Sequence, residues 1–317
     1  MTIAAPTEIG QAVITVQGLH KTYGKLTAVK KVDLAIRRGE VFGILGPNGA
    51  GKTTTLEMIE GLRKPDSGSI QVDGIDAIRR PDKLKQIIGV QLQSTALFTY
   101  LTNFEILKLF AGFYDQGMND RELEQLLAQV NLTEKRDSRV QELSGGQQQR
   151  LSIALTLVNK PRVVFLDEPT TGLDPQARRN LWDLVRAINA QGQTVVLTTH
   201  YMEEAEVLCD RIAIMDHGEI LALDSPRELI AQLNSPPVIS GLTNTPIPED
   251  RLRRLPAVQD VRMDDEGFEL HTTDTADTLV PLLALAASLS LEIRNLNVRQ
   301  GNLEDVFIAL TGRSLRA

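Results

Sequence analysis

The stretch "GPNGAGKTT" at residues 46–54 constrains this chain more than any other. It fits G-x-x-x-x-G-K-[ST], a pattern that works only as a turn between a buried strand and the start of a helix. Residues 41–45 supply the apolar run before it, and "TTLEMIEGL" supplies a helix-compatible pattern after it. Gly46, Gly49 and Gly51 let the backbone curl so that successive N–H groups face phosphate oxygens. Lys52 is then predicted to reach β- and γ-phosphates, and the Thr53 hydroxyl to ligate magnesium. Three further apolar runs, at 163–166, 195–197 and 212–215, lack alternation, as expected of strands buried on both faces of a parallel sheet.

Ligands of such sheets bind beyond the carboxyl ends of the strands, so residues following these runs can converge. "VVFLDEPT" puts Asp167 at a strand end, placed to hold magnesium through water. Glu168 follows and can orient or deprotonate an attacking water. "TVVLTTH" ends in His200, whose imidazole can hydrogen-bond a γ-phosphate or that water. His20, His217 and His271 have no metal-ligand spacing and are expected at the surface.

A second anion site is legible in "LSGGQQQR" at 143–150. Ser144 is a good N-cap, and Leu151, Ala154, Leu155 and Val158 recur at helical spacing. The helix therefore opens on bare backbone N–H groups, which attract anions.

Composition excludes several classes. The 317 residues are 42% hydrophobic and 24% charged, as in a globular protein large enough for one sizeable domain and a small one. A net charge of −7 and the lack of a basic tract argue against nucleic acid as a partner. The single cysteine, Cys209, rules out an internal disulfide and reads as a buried small hydrophobe in a reducing compartment. The longest apolar candidate, 279–291, is too short to span a bilayer, and the N-terminus has no signal-peptide pattern. A cytoplasmic location is expected.

"GPNGAGKTT", "LSGGQQQR", "VVFLDEPTTGLD" and "TTH", in this order, resemble the nucleotide-binding subunit of an ATP-binding-cassette (ABC) transporter over about residues 13–233. "STALFTYLTNFEILKLFAGFY" and "GNLEDVFIALTG" are similar to the bacterial drug-exporter branch. The resemblance implies an α/β phosphate-loop NTPase cassette with a mixed sheet and a helical signature subdomain at about 94–158. ATP and Mg2+ are the implied cofactors. ATP would lie against Gly46, Pro47, Asn48, Gly49, Ala50, Gly51, Lys52, Thr53 and Thr54. Two cassettes, identical or paralogous, would close head to tail, so that Ser144, Gly145, Gly146 and Gln147 of one chain complete the site of the other. Tyr23 resembles the aromatic that stacks on adenine, and Asp174 the residue that touches the opposite chain. Gln93 resembles the glutamine that reads magnesium, with Gln91 as the alternative.

A separate transmembrane permease subunit is implied as partner, with the cassette peripheral on the cytoplasmic face of the membrane. A soluble cassette ATPase acting on a macromolecular partner, and an ATP-binding regulator without turnover, are the competing readings.

The prolines of "NSPP" and "TNTPIPED" read as a linker, which divides the chain into 1–234 and 235–317. In the tail, "AVQDVRM" and "GFELHTT" read as strands turning at "DDEG". "ADTLVPLLALAASL" reads as a helix, "LEIRNLNV" as a strand, and "NLEDVFIAL" as a helix capped by Asn302. The expected order is β-β-α-β-α in a small α+β domain.

Overall fold

The computed structural model describes residues 12–91, 98–233, 236–245, 247–263 and 267–312. They divide into two compact units at Pro226 and Arg227, eight residues before the seam expected at 234.

The first unit runs β1 (Ala12–Tyr23), β2 (Leu26–Arg37), β3 (Val41–Leu45), α1 (Lys52–Ile59), β4 (Ser67–Val72), β5 (Ile75–Asp76), α2 (Pro81–Lys85) and β6 (Ile88–Gln91). It continues through α3 (Asn103–Ala111), α4 (Asp120–Gln129), α5 (Gly145–Leu157), β7 (Val163–Asp167), α6 (Pro175–Ala190), β8 (Thr194–Thr199), α7 (Met202–Leu208), β9 (Arg211–Asp216) and β10 (Glu219–Asp224). The six-stranded sheet has the order β10-β9-β3-β8-β7-β6, with β10 alone antiparallel. The four apolar runs read from the sequence are its β3, β7, β8 and β9.

An antiparallel sheet, β2-β1-β4-β5, forms a second layer. Leu56, Met58 and Ile59 of α1 share one core with Ile14, Ile36 and Ile70 of that sheet and with Phe42, Ile44 and Phe165 of the six-stranded one. The phosphate-loop helix is thus held between two sheets. On the opposite face α5 lies so close to β6 that a Cβ on Gly89 would stand 1.9 Å from the Thr156 carbonyl oxygen. Only glycine fits there.

The helical segment is locally well encoded. Thr102 with Glu105, Asn119 with Glu122, and Ser144 with Gln147 each form a reciprocal capping box at the start of α3, α4 and α5. In α3 the apolar stripe Phe104, Ile106 and Leu107 is buried, whereas Leu109 is exposed.

The second unit comprises the rest of α8 (Pro226–Gln232), then β11 (Val238–Thr243), α9 (Glu249–Leu252), β12 (Val258–Met263), β13 (Gly267–Thr272), α10 (Thr275–Ser288), β14 (Ile293–Arg299) and α11 (Leu303–Thr311). Its antiparallel sheet has the order β12-β13-β11-β14, over a core that includes Ile239, Leu252, Phe268, Leu270 and Leu282. Asn302 caps α11 in a capping box with Asp305. The turn expected at "DDEG" lies mostly outside the described residues.

Two expectations need correction. The supposed linker contains β11, an interior strand paired with both β13 and β14. Pro236 and Pro237 precede the strand instead of interrupting it, so they cost it no ladder bond. Two of the three histidines expected at the surface, His20 and His271, are half-buried, and each has a buried ring nitrogen without a partner. Cys209 is buried as expected, 2.7 Å from where a Cβ on Gly43 would stand, and burial pushes its thiol pKa up. Among the described residues, no helix is long and apolar enough to cross a membrane.

Candidate functional site

The neighbouring strands β3, β8 and β7 end side by side, and the site is built on those ends. The loop after β3 is pressed against β8 and β9. Gly46 donates its N–H to the Thr199 carbonyl at 3.3 Å, and a Cβ on Gly46 would lie 2.2 Å from the Met215 carbonyl oxygen. Gly51 has φ 104°, a left-handed conformation that glycine adopts without strain.

Lys52, 4% exposed, opens α1. Its ammonium donates to the Gly46 and Pro47 carbonyls at 2.9 and 3.1 Å and stands 3.3 Å from Glu168 Oε1. Burial pulls its pKa down, while Glu168 and Asp167 oppose the shift. Asp167, equally buried, has its pKa pushed up by burial and pulled back by hydroxyl bonds from Thr198 and Thr53. Thr53 Oγ1 lies 3.3 Å from Asp167 Oδ1. A hydroxyl and a carboxylate facing one another are hard oxygen donors, a set that suits magnesium. No group of three metal-binding side chains occurs among the described residues, and magnesium held between one carboxylate, one hydroxyl and phosphates needs none.

Glu168 stands at φ 47°, a left-handed conformation rare for glutamate. Its carboxylate meets Lys52 through Oε1; Oε2 lies 3.3 Å from His200 Nδ1 and accepts the Thr171 hydroxyl at 3.2 Å. Lys52, Thr53, Asp167, Glu168 and His200 therefore form one contiguous cluster, which can bind phosphate, hold a divalent cation and take a proton from water.

The other predicted residues lie around it. Tyr23 ends β1, 40% exposed, with Arg63 Cζ and Lys21 Nζ at 5.4 and 5.7 Å from its ring centroid. Gln93 lies outside the described residues. Gln91 is in register with Leu166, so alternation turns it to the α5 face of the sheet, away from Asp167. Ser144 and Gly145 are exposed at the start of α5. A Cβ on Gly146 would lie 3.3 Å from Ala177 Cβ, and Gln149 donates to the Pro169 carbonyl at 2.6 Å. Asp174 caps α6, accepting the N–H groups of Gln176 and Ala177 at 2.9 Å each.

Sequence reasoning missed Thr198 and Glu60. Thr198 stands inside the quoted "TTH" run, where a threonine reads like a valine. Glu60 is buried at the end of α1, and burial, then Asp167 and Glu57, raise its pKa to about 8. Its only sequence signal is a carboxylate inside the apolar pattern "EMIEGL".

A phosphate-loop helix between two sheets, facing an acidic pair and joined to a helical segment with its own anion-ready terminus, is the architecture of a cassette-type ATPase. The family model described as ABC transporter matches residues 29–171. The chain is 38% identical over 307 residues to the linearmycin resistance ATP-binding protein LnrL of Bacillus subtilis (strain 168), covering 95% of this chain and 98% of that protein. It is also 38% identical to the Nod factor export ATP-binding protein I of Ralstonia nicotianae (strain ATCC BAA-1114 / GMI1000), covering 96% and 95%. A dimeric ATP-binding cassette in a post-hydrolysis state, bound to ADP and Pi, matches with a TM-score of 0.61 and 32% identity over 67% of this chain and 98% of that one. The chain belongs to the ATP-binding subunits of the ABC transporter family. It is an ATP-binding ATPase.

Proposed function

We propose that this subunit powers export through a separate membrane subunit, peripheral on the cytoplasmic face, by ATP-driven head-to-tail dimerisation. The observation that carries the reading is the contrast between two anion sites. Lys52 lies in a buried cluster complete in its acid–base groups, whereas the Ser144–Gly145 helix start is exposed and caps only itself. An exposed N-terminus of this kind suits the γ-phosphate of a nucleotide held by a second chain. Names of relatives that denote resistance and export support the direction of transport.

In this reading the phosphates take over from the Gly46 and Pro47 carbonyls and from Glu168 as partners of Lys52. Tyr23 stacks on the base. Thr53 and Asp167, with Gln93, would hold magnesium, which would supply positive charge to offset that of the phosphates. Glu168, released from Lys52, accepts a proton from the attacking water, and His200 orients Glu168 and the γ-phosphate. Asp174, fixed as a cap, presents its loop to the opposite chain. The second unit tunes dimer stability or pairing with the membrane subunit.

Glu168→Gln tests the reading. Hydrolysis should fall roughly 10²–10⁴-fold, the range for loss of a general base, while ATP still binds. Size-exclusion chromatography with Mg-ATP should then reveal a long-lived dimer. Near-normal turnover, or a chain monomeric at saturating ATP, would contradict it.

A further inference from the structure

Thr198 of β8 stands in register with Asp167 of β7, so both side chains lie on the face that carries the phosphate-loop helix. It is fully buried, at 0% exposure. Its hydroxyl donates to Asp167 Oδ1 and accepts the Glu168 N–H at 3.0 Å. The same N–H lies 3.2 Å from the Thr198 carbonyl oxygen. One hydroxyl therefore holds both acidic residues, one by its side chain and the other by its backbone.

That backbone needs holding. At φ 47° Glu168 occupies a region that costs a non-glycine residue energy and persists only where surrounding contacts enforce it. Both oxygens of Thr198 supply such contacts. A valine would fill this strand position equally well, and a buried hydroxyl costs stability unless it is bonded. The adjacent Thr199 has a different task, its hydroxyl accepting the Tyr201 N–H at 2.9 Å beyond His200.

We infer that Thr198 is a positioning residue: its hydroxyl aims the Asp167 carboxylate at the metal and sets the backbone angle from which Glu168 reaches the attacking water. The inference rests on the roles proposed above for Asp167 and Glu168.

The test uses the full-length chain carrying Glu168→Gln, so that ATP binds without turnover, and reads Mn2+ binding by electron paramagnetic resonance. Adding Thr198→Val should weaken Mn2+ binding to the ATP-loaded protein roughly tenfold or more, as loss of a group orienting a metal ligand does. ATP affinity in EDTA should not change, because the phosphate loop is intact. With Glu168 restored, Thr198→Val should lower kcat about tenfold or more at nearly constant KM. Thr198→Ser keeps the hydroxyl and should recover both properties.

Wild-type Mn2+ affinity and kcat in Thr198→Val would overturn the inference, as would a folded Thr198→Ser no better than Thr198→Val. Should the valine variant fail to fold by circular dichroism, Thr198→Cys, a weak donor of similar size, replaces it. Serine near wild type with cysteine impaired supports the inference, and equal behaviour overturns it. Near-normal hydrolysis by Glu168→Gln alone would instead remove the role of Glu168, leaving the Mn2+ comparison to judge Thr198 through Asp167.

Discussion

In the first unit, Lys52, Asp167 and Glu168 bring charged groups into the interior, and the buried Glu60, held protonated by its surroundings, has an Oε1 without a hydrogen-bond partner. In the second, the buried polar side chains among the described residues are Thr272 and Thr278. Thr278 donates to the Pro256 carbonyl at 2.7 Å and accepts from the Thr272 hydroxyl at 2.5 Å, and Thr272 in turn accepts the Asp274 N–H at 3.2 Å. Neutral hydroxyls with full partners stabilise a small sheet. Buried charges cost stability, and a protein that keeps several at one sheet edge has chemistry to do there.

The comparison breaks most readily in the second unit. Leu270 is fully buried among Ile239, Phe268 and Leu282. Leu270→Ala should destabilise that unit by roughly 2–5 kcal/mol, the usual loss for a leucine core cavity. ATP affinity of the full chain should not move, since every assigned ligand lies in the first unit. Thermal melts paired with ATP titrations read both quantities, and a parallel loss of ATP binding would mean that the units do not divide the work in this way.

A smaller effect sharpens the other half. The Glu60 carboxyl is raised from 4.5 to about 8 in the folded chain, so the folded state holds a proton that the unfolded state releases. Stability is therefore fully present below the ordinary carboxyl range and is lost as pH rises toward about 8. Glu60→Gln should remove that slope, so that the variant gains Tm over the parent at pH 9 and little at pH 5. Melts of nucleotide-free protein in EDTA check this, and parallel Tm–pH curves would contradict it.

Local chemistry explains what was legible in the sequence. The phosphate loop is read from its glycines and Lys52, and the α5 start from Ser144 and Gln147, because each depends on a few consecutive residues. Strand β11 was hidden by prolines that flank it. The antiparallel sheet of the first unit was missed because strands such as β1 mix buried and half-buried residues, without the unbroken apolar runs of β3 or β7. Thr198 was illegible for a different reason. Its hydroxyl gains meaning from the register of β8 against β7, which joins residues thirty apart in the chain.

The central claim is that one chain holds only part of each nucleotide site. Mixing two inactive variants tests it directly: Lys52→Ala spoils the phosphate loop, and Ser144→Arg spoils the exposed helix start. A head-to-tail dimer of the two contains one site built from an intact loop and an intact helix start, alongside one doubly damaged site. Hydrolysis should therefore reappear on mixing, though neither variant hydrolyses ATP alone. A mixture as inactive as its components, although each variant is folded and Ser144→Arg still binds ATP, would contradict the claim.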